Sequence, residues 1–137
     1  MHINTDIFLD ILHSEMLSYA IALAKKNGAK EIFVGEPRIK GKNRERWLVP
    51  DVLGIRDSID KPYIIVECEK FHGNIFRDGG KIANWSKDQK IRDKTDFHFI
   101  LHGSAWYSRN KIDEFFKKGY YYYNFEELKK KLIPVKF

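Results

Sequence analysis

Three acidic residues have the types and the spacing that metal-assisted phosphate chemistry needs. Asp51 follows a proline in one β-prone run, and Glu67 and Glu69 lie two positions apart in the next. Residues at i and i+2 of a strand share a face, so the two glutamates are predicted to point the same way. Carboxylates held close together repel one another unless a cation lies among them, and oxygen ligands suit Mg²⁺ or Mn²⁺. Pairing of the two runs would therefore build a metal site.

A cation at such a site would lower the pKa of a bound water and neutralise the charge that develops on a phosphate under attack. The chemistry that this favours is phosphodiester hydrolysis. A second interpretation fits the same spacing, because alternating acids often line the solvent-exposed face of a strand. In that case Glu67 and Glu69 would be surface residues without a chemical role.

The hydrophobic pattern predicts the elements that would position these acids. Apolar residues recur at helical spacing from residue 6 to 27, where Asn27-Gly28 is typical of a helix end. Three β-prone runs and a basic turn follow, at residues 31–36, 47–56 and 63–69, with the turn at 40–46. Pro50 within the second run predicts an irregular strand near Asp51.

The rest of the pattern adds helices around the sheet. A helix predicted over residues 81–92 leads to a fourth strand over 97–102, so a helical crossover follows the three-strand meander. A helix, a strand and a last helix come next, at residues 111–118, 120–123 and 125–132. Asn124 and Glu127 resemble a capping box that opens the last helix. The predicted fold class is α/β, a mixed sheet with helices on its faces, in one domain spanning residues 1–137.

The residues around the acids resemble a known motif. Val49-Pro50-Asp51-Val52 is followed by the run Ile64-Ile65-Val66-Glu67-Cys68-Glu69-Lys70. With the order of elements from residue 6 to 102, this arrangement resembles the PD-(D/E)XK nuclease superfamily. The resemblance implies a restriction endonuclease-like core with a C-terminal helix-strand-helix extension, and a Mg²⁺-dependent DNA endonuclease. It also implies that Asp51 and Glu67 bind the metal. In the superfamily a glutamate of the first helix often completes the metal site, and Glu15 is the best-placed candidate.

The chain departs from the superfamily pattern at one catalytic position. Glu69 stands where the motif has the lysine that orients the attacking water. Either Glu69 is a general base or a further metal ligand, as the E-x-E members of the superfamily suggest, or a cation comes from elsewhere. Lys81, at the start of the predicted helix, is preferred over Lys70, which points to the opposite face of an ideal strand. The same departure leaves open a non-catalytic nucleic-acid-binding domain. An acid-rich metal-binding or interaction domain is a third alternative.

Candidate DNA contacts lie mainly in the basic turn. The chain has 25 Lys and Arg against 19 Asp and Glu, and its net charge of +6 favours polyanionic partners. The candidates for binding DNA phosphates are five cations, Arg38, Lys40, Lys42, Arg44 and Arg46. A solvent-exposed turn without a binding role explains these residues nearly as well. Gln89, on the helix after the acids, is a further candidate for a position near DNA.

Other patterns bear on packing, compartment and assembly. His98 and His102 share a strand face and are predicted to pack, and the tyrosines at 120–123 must alternate between faces. No stretch has the length and apolarity of a membrane span, and no signal-peptide pattern is present, so a cytoplasmic protein is expected. The lone Cys68 cannot form an internal disulfide. The chain is similar in size to archaeal Holliday-junction resolvases and small viral nucleases, and paired cuts on two strands favour a homodimer.

Overall fold

The computed structural model describes residues 5–35, 39–40, 47–70 and 85–136, without the side chains of residues 5–10, 39–40 and 47–48. It is a mixed α/β structure, as predicted. Its strands are β1 (Glu31–Val34), β2 (Ile39–Lys40), β3 (Trp47–Leu48), β4 (Val52–Ile55), β5 (Tyr63–Glu69), β6 (Thr95–Leu101) and β7 (Tyr120–Asn124). Its helices are α1 (Thr5–Lys26), α2 (Gln89–Lys94), α3 (Arg109–Phe116) and α4 (Phe125–Lys129), with a 3₁₀ helix at Gly103–Ser108. Among these described helices, none is both long enough and apolar enough to cross a membrane.

Five of the strands form one mixed sheet, in the order β1-β4-β5-β6-β7. β1, β4 and β5 pair antiparallel, whereas β5, β6 and β7 run parallel, so the predicted meander and crossover are confirmed. The short strands β2 and β3 pair with each other. The irregularity predicted near Asp51 is confirmed, and it is a complete break: the run over residues 47–56 divides into β3 and β4 around residues 49–51. Pro50 has no backbone N–H to offer a ladder, which accounts for the break.

α1 covers one face of the sheet. Its residues Met16, Ala20 and Ala24 are fully buried, in a core that α1 forms with β4 and β5. The helix ends where the sequence predicts, since Gly28 has a φ of 94°, which glycine adopts without strain. The Gly28 N–H and the next N–H donate to carbonyl oxygens of the last turn, each at 3.0 Å.

Alternation along β5 separates two hydrophobic cores. Ile64, Val66 and Cys68 belong to the core under α1 and α4, whereas Ile65 belongs to the core on the other face. The second core is rich in buried aromatic side chains: Trp85, Phe97, Phe99 and Phe116. The alternation predicted for this strand is therefore confirmed, and it directs Glu67 and Glu69 to the aromatic side.

The helix predicted over residues 81–92 differs in its bounds. Residues 85–87 are helical, Asp88 is extended, and α2 runs from Gln89 to Lys94. The Asp88 carboxylate caps α2 by accepting a hydrogen bond from the Ile91 N–H at 3.2 Å. The predicted helix is therefore broken at Asp88, where a new helix begins.

The C-terminal helices also start or end at different residues than predicted. α3 begins at Arg109, directly after the 3₁₀ helix, which no periodicity in the sequence indicates. α4 ends at Lys129, short of the predicted residue 132. Asn124 caps α4 as predicted, because its side-chain oxygen accepts from the Glu127 N–H at 3.2 Å.

The tyrosines of β7 alternate between the two faces, as predicted. Tyr120 and Tyr122 pack against the aromatic core. Tyr121 and Tyr123 stack on the ring of His98 from β6, with centroids 4.8 and 5.8 Å away. The prediction that His98 is a packing residue is therefore confirmed.

Gly54 in β4 lies close to the end of α1 and to Ala29 just after it. A Cβ at this position would lie 2.8 Å from the Cβ of Ala29 and 3.5 Å from that of Ala24. We expect Gly54→Ala to lower the free energy of unfolding by about 1–3 kcal/mol, because the added methyl group must push these backbones apart. Urea unfolding measures this, with Ser14→Ala on the exposed side of α1 as the control. An unchanged midpoint for Gly54→Ala would contradict this packing.

Candidate active site

Asp51 and Glu67 lie side by side at one edge of the sheet. The register of β4 and β5 pairs Val52 with Val66, and one further step places Asp51 opposite Glu67. The Asp51 N–H donates to Glu67 Oε1 at 3.3 Å, and the Cys68 N–H donates to Asp51 Oδ2 at 2.8 Å. The structure therefore brings together the two acids that the sequence pattern pairs.

The two carboxylates have little exposure to solvent. Glu67 is fully buried, with 0% of its surface exposed, and the Asp51 side chain is 17% exposed. The interpretation of Glu67 as a solvent-facing strand acid is therefore wrong. An ionised carboxylate loses on the order of several kcal/mol of hydration on burial, unless hydrogen-bond donors or a cation compensate. A divalent cation beside the partly open Asp51 would supply that compensation.

The structure adds His13 of α1 to this pair, a residue that the motif does not select. Its Nε2 lies 3.9 Å from Asp51 Oδ1, and its side chain is 32% exposed. The spacing of residues around a helix could have predicted His13 as the neighbour of Asp51. Residues of a helix are about 100° apart, so His13 and Glu15 point to nearly opposite sides of α1. Only one of them can face Asp51, and it is His13.

Glu15 lies against the C-terminal helix instead. Its Oε1 is 3.6 Å from Nζ of Lys129, which also lies 3.2 Å from Oε2 of Glu126. Burial lowers the pKa of Lys129, but the hydrogen bonds and charges of Glu126 and Glu15 outweigh it, so that this pKa is raised. Within the described ranges, no group of three or more His, Cys, Asp or Glu residues is arranged to hold a metal ion. The structure thus does not assemble Glu15 with Asp51 and Glu67 as a three-ligand set.

Glu69 ends β5 at the same edge of the sheet. It lies opposite Leu101 of β6, and its carbonyl oxygen accepts from the His102 N–H at 2.9 Å. Two strand residues span about 7 Å, so Glu69 lies one pleat beyond Glu67 on the same face, where it is partly buried. The next residue, Lys70, is also partly buried. Glu69 is thus placed where it can take part in chemistry at the carboxylate pair.

Gln89 lies at the opposite end of the sheet. It begins α2, which leads directly into the start of β6, and its amide donates to Asp93 Oδ1 at 2.6 Å. With Lys61 and Gly119, which precede β5 and β7, it lines a cavity of about 270 Å³. β5 has seven residues and so spans about 20 Å, which separates Gln89 from the acids. The structure does not bring it to the candidate active site.

The remaining candidates lie outside the described residues. They are Arg38, Lys42, Arg44, Arg46 and Lys81, and Lys40 is described only through the backbone of β2. The roles predicted for these cations stay predictions.

The donor set of the site suits a hard divalent cation. Asp51 and Glu67 offer carboxylate oxygens, and Mg²⁺ commonly binds through one or two carboxylates while water and substrate phosphate fill the other positions. Two buried or nearly buried carboxylates are therefore a sufficient protein contribution. Comparisons with protein-family models, with curated proteins and with solved structures found no match for this chain.

Proposed function

We propose that this chain is a metal-dependent DNA endonuclease in which Asp51 and Glu67 hold Mg²⁺ or Mn²⁺. The observation that carries the proposal is the fully buried Glu67, joined to Asp51 by a backbone hydrogen bond. A buried acid beside a second acid serves no packing purpose that an apolar residue would not serve better, and a cation accounts for both.

The order of elements supports a restriction endonuclease-like fold. A long helix, an antiparallel meander, a helical segment and a parallel strand follow one another, from α1 to β6. The proline-aspartate pair directly precedes β4, and Glu67 lies near the end of β5. These are the places in which the PD-(D/E)XK resemblance puts the metal-binding acids.

The proposed reaction is hydrolysis of a DNA phosphodiester bond. A bound divalent cation would acidify water and neutralise charge on the phosphate. Asp51 and Glu67 would hold that cation, and His13 flanks Asp51 on the side of α1. Glu69, at the position of the usual lysine, would take the proton that the attacking water loses as the phosphorus–oxygen bond to the leaving strand breaks, or would act as a further metal ligand. Lys81 is the proposed alternative source of a catalytic cation, and Arg38 and the basic turn at 40–46 are proposed to contact the DNA backbone.

The test is cleavage by the purified protein with Mg²⁺ or Mn²⁺. We expect nicking or cutting of supercoiled, linear or branched DNA, and a four-way junction among the substrates tests resolvase activity. EDTA and Asp51→Asn should each abolish cleavage, whereas Asp57→Asn, at a side chain that is 80% exposed, should not change it. Sedimentation of the same sample tests the proposed homodimer. Intact DNA under all these conditions would refute the nuclease proposal.

One observation favours a non-catalytic nucleic-acid-binding domain as the second candidate. Glu69 occupies the position of the catalytic lysine, and losing that lysine is one way for a nuclease fold to lose cleavage. In this case the protein would bind DNA more weakly as salt rises, because phosphate contacts release counterions. Asp51→Asn would then alter binding alone.

A further inference from the structure

The 3₁₀ helix at Gly103–Ser108 lies beside the acids. It starts after β6, whose last residue is opposite Glu69, and the N–H of the connecting His102 donates to the Glu69 carbonyl at 2.9 Å. Ala105 is buried in the same core as Ile65, so this helix covers the face of the sheet toward which Glu67 and Glu69 point. The helix and the acids therefore share both an edge and a face of the sheet.

This helix holds one aromatic ring out in solvent. Ala105 and Ser108 are buried, at 0% and 1% exposure, and they anchor the helix on both sides of Tyr107, which is 74% exposed. Trp106 packs edge-on against Tyr122, with ring centroids 5.9 Å apart. The exposed ring of Tyr107 is thus carried by a fixed turn.

A cation is held at the end of this helix. The Arg109 guanidinium carbon lies 4.2 Å from the centroid of the Trp106 ring, a cation–π contact that keeps the charge at the start of α3. At a rise of about 2.0 Å per residue, Tyr107 is only about 8 Å along the helix from Gly103. That is roughly the length of two stacked nucleotides on one DNA strand.

We propose that Tyr107 stacks on an unpaired base of the DNA substrate while Arg109 contacts a neighbouring phosphate. Bases inside a uniform duplex are stacked on one another and cannot offer a face to a protein ring, whereas bases in a bubble, a flap or a junction can. The preferred substrate is therefore DNA with unstacked bases close to the cut. This inference rests on the proposed function and specifies its substrate class.

The experiment compares binding to a bubble-containing duplex and to a fully paired duplex of the same length, by fluorescence anisotropy in EDTA. We expect Tyr107→Ala to weaken binding to the bubble about tenfold and to leave duplex binding nearly unchanged. Tyr107→Phe should bind like the unaltered protein, because stacking needs the ring and not the hydroxyl. Tyr63→Ala is the matched control, since Tyr63 is 41% exposed at the opposite end of β5.

Unchanged bubble binding by Tyr107→Ala, or an equal loss on both DNAs, would overturn the inference. Cleavage assays keep it separate from the proposed function. Metal-dependent cutting that prefers neither DNA and ignores Tyr107→Ala refutes the stacking role and leaves the nuclease standing. A selective loss of bubble binding without any cleavage supports the stacking role and refutes the nuclease.

Discussion

Glu67→Gln is expected to lower the rate of metal-dependent DNA cleavage about a thousandfold or more. The carboxylate is one of two proposed metal ligands, and a bound cation contributes several kcal/mol of transition-state stabilisation, of which each 1.36 kcal/mol corresponds to tenfold in rate. Glutamine keeps the shape of the side chain and an acceptor oxygen for the Asp51 N–H, which lies 3.3 Å from Oε1. The loss would therefore report the missing charge and not a missing contact.

The same variant has an opposite expected effect on stability without metal. An ionised carboxylate loses more hydration on burial than a neutral amide does, so Glu67→Gln should unfold at an equal or higher temperature than the unaltered protein in EDTA. Metal should stabilise the unaltered protein by about 2.7 kcal/mol at a hundredfold excess over Kd, and should do little for the variant. Thermal unfolding with and without Mg²⁺ measures both effects.

Glu114→Gln is the matched control, because the Glu114 side chain on α3 is 71% exposed. It should keep both the cleavage rate and the stabilisation by metal. Glu67→Gln protein that still cuts DNA, or that Mg²⁺ stabilises as much as the unaltered protein, would exclude Glu67 as a ligand.

Stability is expected to fall by about 3 kcal/mol as the pH drops from about 6.5 to about 4, through the protonation of His98 in the unfolded chain. Burial lowers the pKa of His98 from 6.5 to about 4; the charge of Asp96 partly opposes this, and that of Arg56 adds to it. The unfolded chain then binds a proton over this range while the folded protein does not. The contribution of His98 to the free energy of unfolding is therefore fully present above pH 6.5 and is lost as the pH falls toward 4. Each unit of pKa difference between the folded and unfolded states corresponds to 1.36 kcal/mol.

The packing of His98 explains why the folded state excludes the proton. The residue is 2% exposed, its Nδ1 lies 2.9 Å from the hydroxyl oxygen of Tyr123, and its ring stacks on Tyr121 and Tyr123. The ion pair of Arg56 with Asp96 lies nearby. An imidazolium at this position would be cut off from water, which disfavours its charge.

Urea unfolding at a series of pH values measures this effect, with His98→Gln as the variant. Other groups also titrate in this range, so the informative quantity is the difference between the two proteins. The variant should lose the His98 contribution and show a flatter profile. His102→Gln, at a partly exposed ring, is the control. Parallel profiles for the unaltered protein and His98→Gln would show that His98 protonates equally in both states.

The pairing of Asp51 with Glu67 could be predicted because it depends on short-range rules. Strand alternation selects the face of Glu67, and a tight connection makes consecutive strands neighbours. The burial of Glu67 could not be read from the same pattern. It depends on which face of the sheet is covered, and the aromatic core that covers this face includes residues from distant parts of the chain, such as Trp85 and Phe116.

The choice between Glu15 and His13 shows a second limit. The apolar pattern of α1 identifies its buried side, but both residues flank that side. The rotation of the helix over the sheet decides which one meets Asp51. That rotation depends on how α1 packs on the sheet, where Ala24 lies close to Gly54. Gln89 is a similar case, because the bounds of α2 and its connection to β6 decide at which end of the sheet it lies.

At the carboxylate site, local sequence patterns specify the acidic residue types, the shared face of Glu67 and Glu69, and the order of strands that pairs Asp51 with Glu67. The three-dimensional packing decides that Glu67 is buried, that His13 lies beside Asp51, and that Tyr107 is exposed. Periodicity and turn chemistry act over a few residues and can be read locally. Burial and the rotation of a helix arise from contacts between distant segments, which no local pattern records.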